Sequence, residues 1–343
     1  MNVLGVKPEY ASGSIENIGL TIDDIVTLDV RAERSVIRSL YAAAAAKVAG
    51  RSLTLEAAQR LKQEVSRNDR VLIMTGFLIE PRYIQETDGP LGAASLARAL
   101  DVARGAASFL LIESCAGRMV SATCRAIGLN VLEYSRVIEN APKHSAAVID
   151  FTCDSNAAVE AAKKLLDEIA PSAVISIEKA GRNVAGEYHT RKGLNISARH
   201  AKVEAIVSEA RKRNILTIGI GDGGNEVGMG NIIQTVLESV PYASQCQCPC
   251  GRGIAAESEV DLLVPAAISN WGAYGIAANL ARITGTSALH SPELEESMLT
   301  SIMQEGAIDG VERSSRLSVD GVPIDTLRLI VNLLGKMAYS SSA

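Results

Sequence analysis

ILTIGIGDGGNEVGMG, residues 215–230, opens as an apolar, β-branched run and ends in a glycine-rich turn carrying Asp222, Asn225 and Glu226. A short apolar run bounded by glycines reads as a strand buried on both faces. The same signature recurs on either side: RVLIMTG (70–76), SFLLIES (108–114), AAVIDFT (146–152), SAVISIE (172–178) and EVDLLVPA (259–266). Between these runs lie stretches with helical spacing, GAASLARALDVARG (92–105), NAAVEAAKKLLDEIA (156–170) and ARHAKVEAIVSEARKR (198–213). Strand alternating with helix predicts an α/β fold, a mostly parallel sheet with helices on both faces in a three-layer sandwich.

Helical segments flank this core. SIENI (14–18) and TIDDI (21–25) place Ser14 and Thr21 before acids, as N-caps do, and SVIRSLYAAAAAKVAG (35–50) is Ala-rich with a terminal glycine. SPELEESMLTSIMQEG (291–306) and PIDTLRLIVNLLGKM (323–337) read as closing helices. The expected organisation is a helical N-terminal segment over 1–68, an α/β core over 69–290 and a helical closure over 291–343, together one compact domain.

A net charge of −5 with scattered basic residues argues against nucleic acid as a partner. The N-terminus lacks a basic region followed by an apolar one, and no apolar run reaches the roughly 18 residues of a membrane span, so a cytoplasmic protein without a membrane partner is expected. A homo-oligomer is left open. Cys115, Cys124 and Cys153 stand singly in apolar stretches and read as small core residues. CQCPC (246–250) offers three soft ligands, but His290, the next histidine along the chain, is distant, so the run reads as a turn beside Pro249. His189, in GEYHTRKG, is the histidine worth testing against its reading as a solvent-facing loop residue.

Gly219, Gly221 and Gly224 match G-x-G-x-x-G after a strand. Asp222 would set a negative charge where a pyrophosphate sits, and no acid follows about 20 residues on, so a dinucleotide is disfavoured. Oxygen-bearing side chains at a strand's carboxyl end suit a hard cation, while Asp222 and Asn225 as turn caps remain the alternative. Other loops add acids at the same sheet edge. ETDGPLGAASLARAL (86–100) brings Glu86 and Asp88 to a helix start, and EKAGRNVAGEYHTRKGLN (178–195) interleaves Glu178 and Glu187 with Lys179, Arg182, Arg191 and Lys192. Glu178 and Arg182 at i and i+4 are also a plausible solvated ion pair. ISNWGAYGIAANLA (268–281) adds Asn270 and Trp271, the latter either a pocket wall or a packing residue. Acids and bases together suggest a cation with a small anionic substrate.

Five segments in order, TGF (75–77), ETDGPLGA (86–93), EKAGRNVAGEYHTRKGLNI (178–196), GIGDGGNEVGMG (219–230) and SNWGAYG (269–275), resemble the D-glutamate cyclase-like family. VTLDVRAERSVIRSLYAAA (26–44) and VDGVPIDTLRLIVNLL (319–334) extend that resemblance over nearly the whole chain. It implies a lyase converting D-glutamate to 5-oxo-D-proline and water, with acids of these motifs as ligands of a divalent metal, Mn²⁺ or Mg²⁺. On that basis Asp88, Asp222 and Glu226 are the expected metal ligands. Glu86 or Glu178 is the expected base, and Arg182 or Lys192 the clamp on the α-carboxylate. Thr87, Lys179, Asn225, Asn270 and Trp271 are the expected substrate contacts. A metal-dependent hydrolase, a phosphatase for instance, or a lyase on another small anionic metabolite would use the same loops. A noncatalytic metabolite-binding protein is the third reading.

Overall fold

The computed structural model describes residues 15–31, 36–140 and 142–339. Seven parallel strands form one sheet: β1 (Arg70–Thr75), β2 (Ala107–Leu111), β3 (Asn130–Val131), β4 (Ser145–Ile149), β5 (Ala173–Ile177), β6 (Leu216–Gly221) and β7 (Leu262–Pro265), in the order β3-β4-β2-β1-β5-β6-β7. The expected three-layer α/β sandwich is what forms. Every residue of β2, β5, β6 and β7 is buried, which is why these strands read as continuous apolar runs rather than alternating ones. Two-residue β3 at the sheet edge was not anticipated, because a strand that short leaves no periodic signal.

Successive connections run to one side of β1 for β2 and to the other side for β5. This reversal opens a crevice at the carboxyl ends of β1, β5 and β6, where ligands of open parallel sheets bind. Parallel registers, Thr75↔Ile177 and Ile177↔Ile220, bring the loops after these three strands level with one another.

The helix Ser269–Thr284 is buried on all sides from Ser269 to Ala281, consistent with its apolar, small-residue composition. It packs on the helices Pro90–Arg104, Leu53–Glu64, Ile324–Tyr339 and Ile15–Val26, so the first and last described helices close over one central helix. Gly275 permits this approach, since a Cβ there would lie 2.9 Å from Thr54 Cγ2. Some local expectations change. Thr21 lies inside the helix Ile15–Val26 and its hydroxyl donates to Asn17 O, so it caps nothing; Ser14 lies outside the described residues. The helix expected from 198 starts at Glu204, after a 3₁₀ turn. Cys124 is buried as expected, whereas Cys115 and Cys153 are exposed.

Candidate functional site

At the crevice lies a cavity of about 340 Å³ whose lining includes six carboxylates, Glu80, Glu86, Glu178, Asp222, Glu226 and Asp320, against four basic groups, Arg31, Arg191, Lys192 and Arg313. A wider open cleft of about 990 Å³ lies elsewhere, around Arg60, Arg182 and Glu257; none of the carboxylate groupings described below opens into it.

Each carboxylate is fixed by the segment that carries it. Glu178 follows β5 directly in a left-handed backbone conformation (φ 45°), a strained choice for a non-glycine residue that aims its side chain at the crevice. Its Oε2 accepts a 2.5 Å hydrogen bond from Ser269 Oγ. In the turn after β6, Glu226 folds back so that Oε1 accepts from Gly223 N at 2.7 Å and Oε2 from Gly224 N at 2.8 Å. Glu226, rather than Asp222 or Asn225, therefore does the capping in this glycine turn. Asn225 donates from Nδ2 to His189 O at 2.9 Å and ties the turn to the loop after β5. Asp222 is left with its buried Oδ2 lacking any hydrogen-bond partner.

Asp88 and Asn270 cap each other's helices. Asp88 accepts from Ser269 N at 3.0 Å and from Asn270 N at 2.9 Å, while Asn270 Oδ1 accepts from Gly89 N at 2.9 Å and Gly92 N at 2.7 Å. All of these groups are buried. Replacing Asn270 by Ala strands Gly92 N and removes the donor to Thr87 O, while Gly89 N keeps Asp88 Oδ1 at 2.9 Å, and we expect a loss of about 2 kcal/mol in chemical denaturation. A loss below about 0.5 kcal/mol would mean that water replaces the side chain.

Three acids came from outside the expected set: Glu80 and Asp320 on the cavity lining, and Asp309 behind it. Asp309 accepts from Val311 N, Glu312 N and Gly321 N, folding the segment before the last helix so that Asp320 reaches the crevice. Gly310 lies so close that a Cβ there would sit 2.0 Å from Glu86 Oε2. The two Asp-Gly pairs, 309–310 and 320–321, are turn signals visible in the sequence, but nothing local says which sheet edge they meet. Arg31 reaches Asp320 from the N-terminal side, 3.0 Å from its carbonyl.

The expected metal trio divides. Ligand atoms of Asp88, Asp222 and Asp320 lie within 4.8 Å of one another, as do those of Glu178, Asp222 and Glu226; Asp222 is common to both sets. Burial raises the carboxyl pKa of Asp222 to about 6, with Arg191 opposing it and Glu226 adding to it. Asp320 is raised to about 7 by burial and by Asp222. Burial, then Asp320 and Asp88, push Glu86 well up, and burial with Asp222 and Glu226 does the same to Glu178. Buried like charges around an unpartnered oxygen are the environment in which an oxygen-preferring divalent cation fits.

This has a measurable consequence. Acids whose native pKa is raised bind protons more tightly when folded, so their contribution favours the native state at low pH and is lost as pH climbs through about 6 and 7. Metal-free protein should therefore lose thermal stability from pH 5 to 7.5, and saturating Mn²⁺ should restore about 2–3 kcal/mol, more at the higher pH. Melting curves with and without Mn²⁺ that stay parallel across this range would contradict the arrangement.

Of the remaining expected residues, Lys192 and Asn225 line the cavity. Arg182 does not: residues 178–182 are not helical, and its guanidinium pairs with Glu257 at 2.9 Å, so neither the clamp nor a Glu178 ion pair forms. Lys179 is fully buried and bonded to Glu113 at 2.5 Å and Gly76 O at 3.2 Å. Thr87 is spent on Ser318 O, and Trp271 is wholly enclosed on the central helix, where it packs and does not wall the cavity. Arg191, beside Lys192, takes the place at the cavity expected of Arg182. Glu187 stays outside, bonded to Asn195 and Ser197.

The chain matches the family described as D-glutamate cyclase-like, C-terminal, over residues 22–335. It is also 29% identical over 287 residues to the human protein named D-glutamate cyclase, mitochondrial, across 74% of this chain and 43% of that protein. The chain thus spans less than half the length of this curated relative. No helix among the described residues is long and apolar enough to cross a membrane. A match running through every strand of the sheet and every loop of the carboxylate cavity carries a plain conclusion: the chain belongs to the D-glutamate cyclase-like family.

Proposed function

We propose that this chain cyclises D-glutamate to 5-oxo-D-proline, with a divalent cation, Mn²⁺ or Mg²⁺, at Asp222. The observation that carries the reading is a cavity floor of buried carboxylates, Glu86, Glu178, Asp222, Glu226 and Asp320, under an exposed rim of Arg191, Lys192 and Arg313, which matches a substrate with one ammonium and two carboxylate groups. Asp222 with Glu178 and Glu226, or with Asp88 and Asp320, would hold the cation. When bound, it supplies Lewis-acid polarisation of the γ-carboxylate.

The chain's own groups account for binding and proton traffic. Arg191 and Lys192 at the rim hold the α-carboxylate and set which substrate hand presents its amine to the floor. Glu178, held by Ser269 and made more basic by burial, takes a proton from the ammonium so that nitrogen can attack the γ-carbon. Glu86, its pKa raised by burial and then by Asp320 and Asp88, is the acid that delivers a proton to the departing oxygen. Nitrogen gives up two protons in all, the second after the N–C bond forms, and the departing γ-oxygen takes two, so one water leaves as the lactam closes and Glu178 and Glu86 return to their starting states. Phe77 and Ile79 on the cavity wall limit the entry of other water.

The test is chiral chromatography of D- and L-glutamate incubated with purified protein, with Mn²⁺, with Mg²⁺ and with chelator. Metal-dependent 5-oxo-D-proline from the D isomer supports the proposal. No product with either metal, alongside turnover of a phosphate ester, would replace it with a metal-dependent hydrolase.

A further inference from the structure

We propose a second, structurally distinct metal site: a zinc ion held by His189, Cys246, Cys248 and Cys250, which staples the loop carrying Arg191 and Lys192 to the segment after the helix Ile233–Ser239. The four ligand atoms converge within 4.8 Å of one another. Cys246 Sγ lies 3.5 Å from Cys248 Sγ and 3.3 Å from Cys250 Sγ, and His189 Nε2 lies 3.2 Å and 3.7 Å from the sulfurs of Cys248 and Cys250. A tetrahedral zinc with bonds of about 2.3 Å to sulfur and about 2.1 Å to nitrogen sets sulfurs roughly 3.8 Å apart and nitrogen roughly 3.6 Å from sulfur, so small outward shifts admit the ion. All three cysteines are free thiols, with no disulfide among them.

Three features beyond ligand spacing favour a closed thiolate site. Amide donors already face the sulfurs: Asn183 Nδ2 is 3.6 Å from Cys250 Sγ, Asn195 Nδ2 is 3.9 Å from Cys248 Sγ and Cys250 N is 3.4 Å from Cys248 Sγ, as thiolate ligands require. The stretch between Ser239 and Leu262 has no helix or strand of its own, and an irregular segment of that length needs another source of order. Both loops meet closely at the cluster, where Gln247 N donates to Gly193 O at 3.0 Å. Three sulfurs and one imidazole fill four tetrahedral positions and leave none open, which marks a structural ion and not a catalytic one. Its effect on the cavity is positional. Thr190 and Gly193 close a turn one residue beyond His189, so a fixed His189 fixes Arg191 and Lys192 at the tip.

The proposal does not depend on the substrate. The whole 343-residue chain, purified without metal resins or chelator, should carry one zinc per chain by mass spectrometry, released in step with titration by an organomercurial thiol reagent. Cobalt substituted into the wild-type protein should show thiolate-to-cobalt charge transfer and intense tetrahedral d–d bands, a reading that needs no variant to fold. Cys250→Ser and His189→Ala should each weaken zinc retention at least tenfold, and Asp222→Asn should leave it unchanged. Native protein whose thiols react freely without releasing metal, a disulfide found among the three cysteines, or zinc content that follows Asp222→Asn would each overturn the site.

Discussion

Asp222→Asn should lower 5-oxo-D-proline formation by at least about 10²-fold, equivalent to about 3 kcal/mol of transition-state stabilisation, while raising the melting temperature of the metal-free protein. Both halves follow from one position. Asp222 belongs to both carboxylate sets, so removing its charge weakens cation binding in either arrangement. The same carboxylate is buried with a partnerless oxygen among Glu226, Asp320 and Glu178, so neutralising it relieves repulsion in the native state. Opposite signs for activity and stability identify a residue kept for function at a cost to folding. Equal turnover in the variant, measured at saturating Mn²⁺, would remove Asp222 from the mechanism; a lower melting temperature would show that its role is structural.

The second large effect lies below the cavity. Lys179→Met should destabilise the fold by about 3–5 kcal/mol, because Glu113 would be left buried without a counter-charge. Glu113 Oε1 takes Lys179 Nζ at 2.5 Å and Ala201 N at 3.0 Å. His200 stands 3.4 Å away but supplies no charge: burial and Lys179 depress it to about 3, and its Nε2 faces Ala180 O at 3.0 Å. Burial works to raise the Glu113 pKa, yet Lys179, then the His200 ring as it gains charge at low pH, and the hydrogen bonds outweigh it and hold it below the ordinary range. A lowered acid contributes stability above its unfolded pKa and loses it as pH falls, so the defect should shrink toward pH 4 as Glu113 is protonated. The double variant Lys179→Met/Glu113→Gln should recover most of the loss. Urea midpoints for the single and double variants check this, and equal midpoints for both would mean that the pair contributes through packing alone.

The sequence alone determined the class of fold and the edge where chemistry sits. Strands buried on both faces announce themselves as apolar runs, and in a parallel sheet the loops after them share one end, so Glu86, Glu178, Asp222 and Glu226 could be placed together from the chain's order. Only the tertiary structure decided which polar side chains face the cavity. Direction depends on partners far along the chain: Lys179 turns inward to Glu113, Arg182 outward to Glu257, and Asn270 is consumed by helix capping. Asp320, positioned through Asp309, enters from a segment beyond the last strand of the large sheet, and His189 meets cysteines some sixty positions away, as its pairs with Cys248 and Cys250 record. Spacing along a chain fixes neighbours within an element, whereas convergence across elements is set by sheet order and packing, which no local pattern encodes.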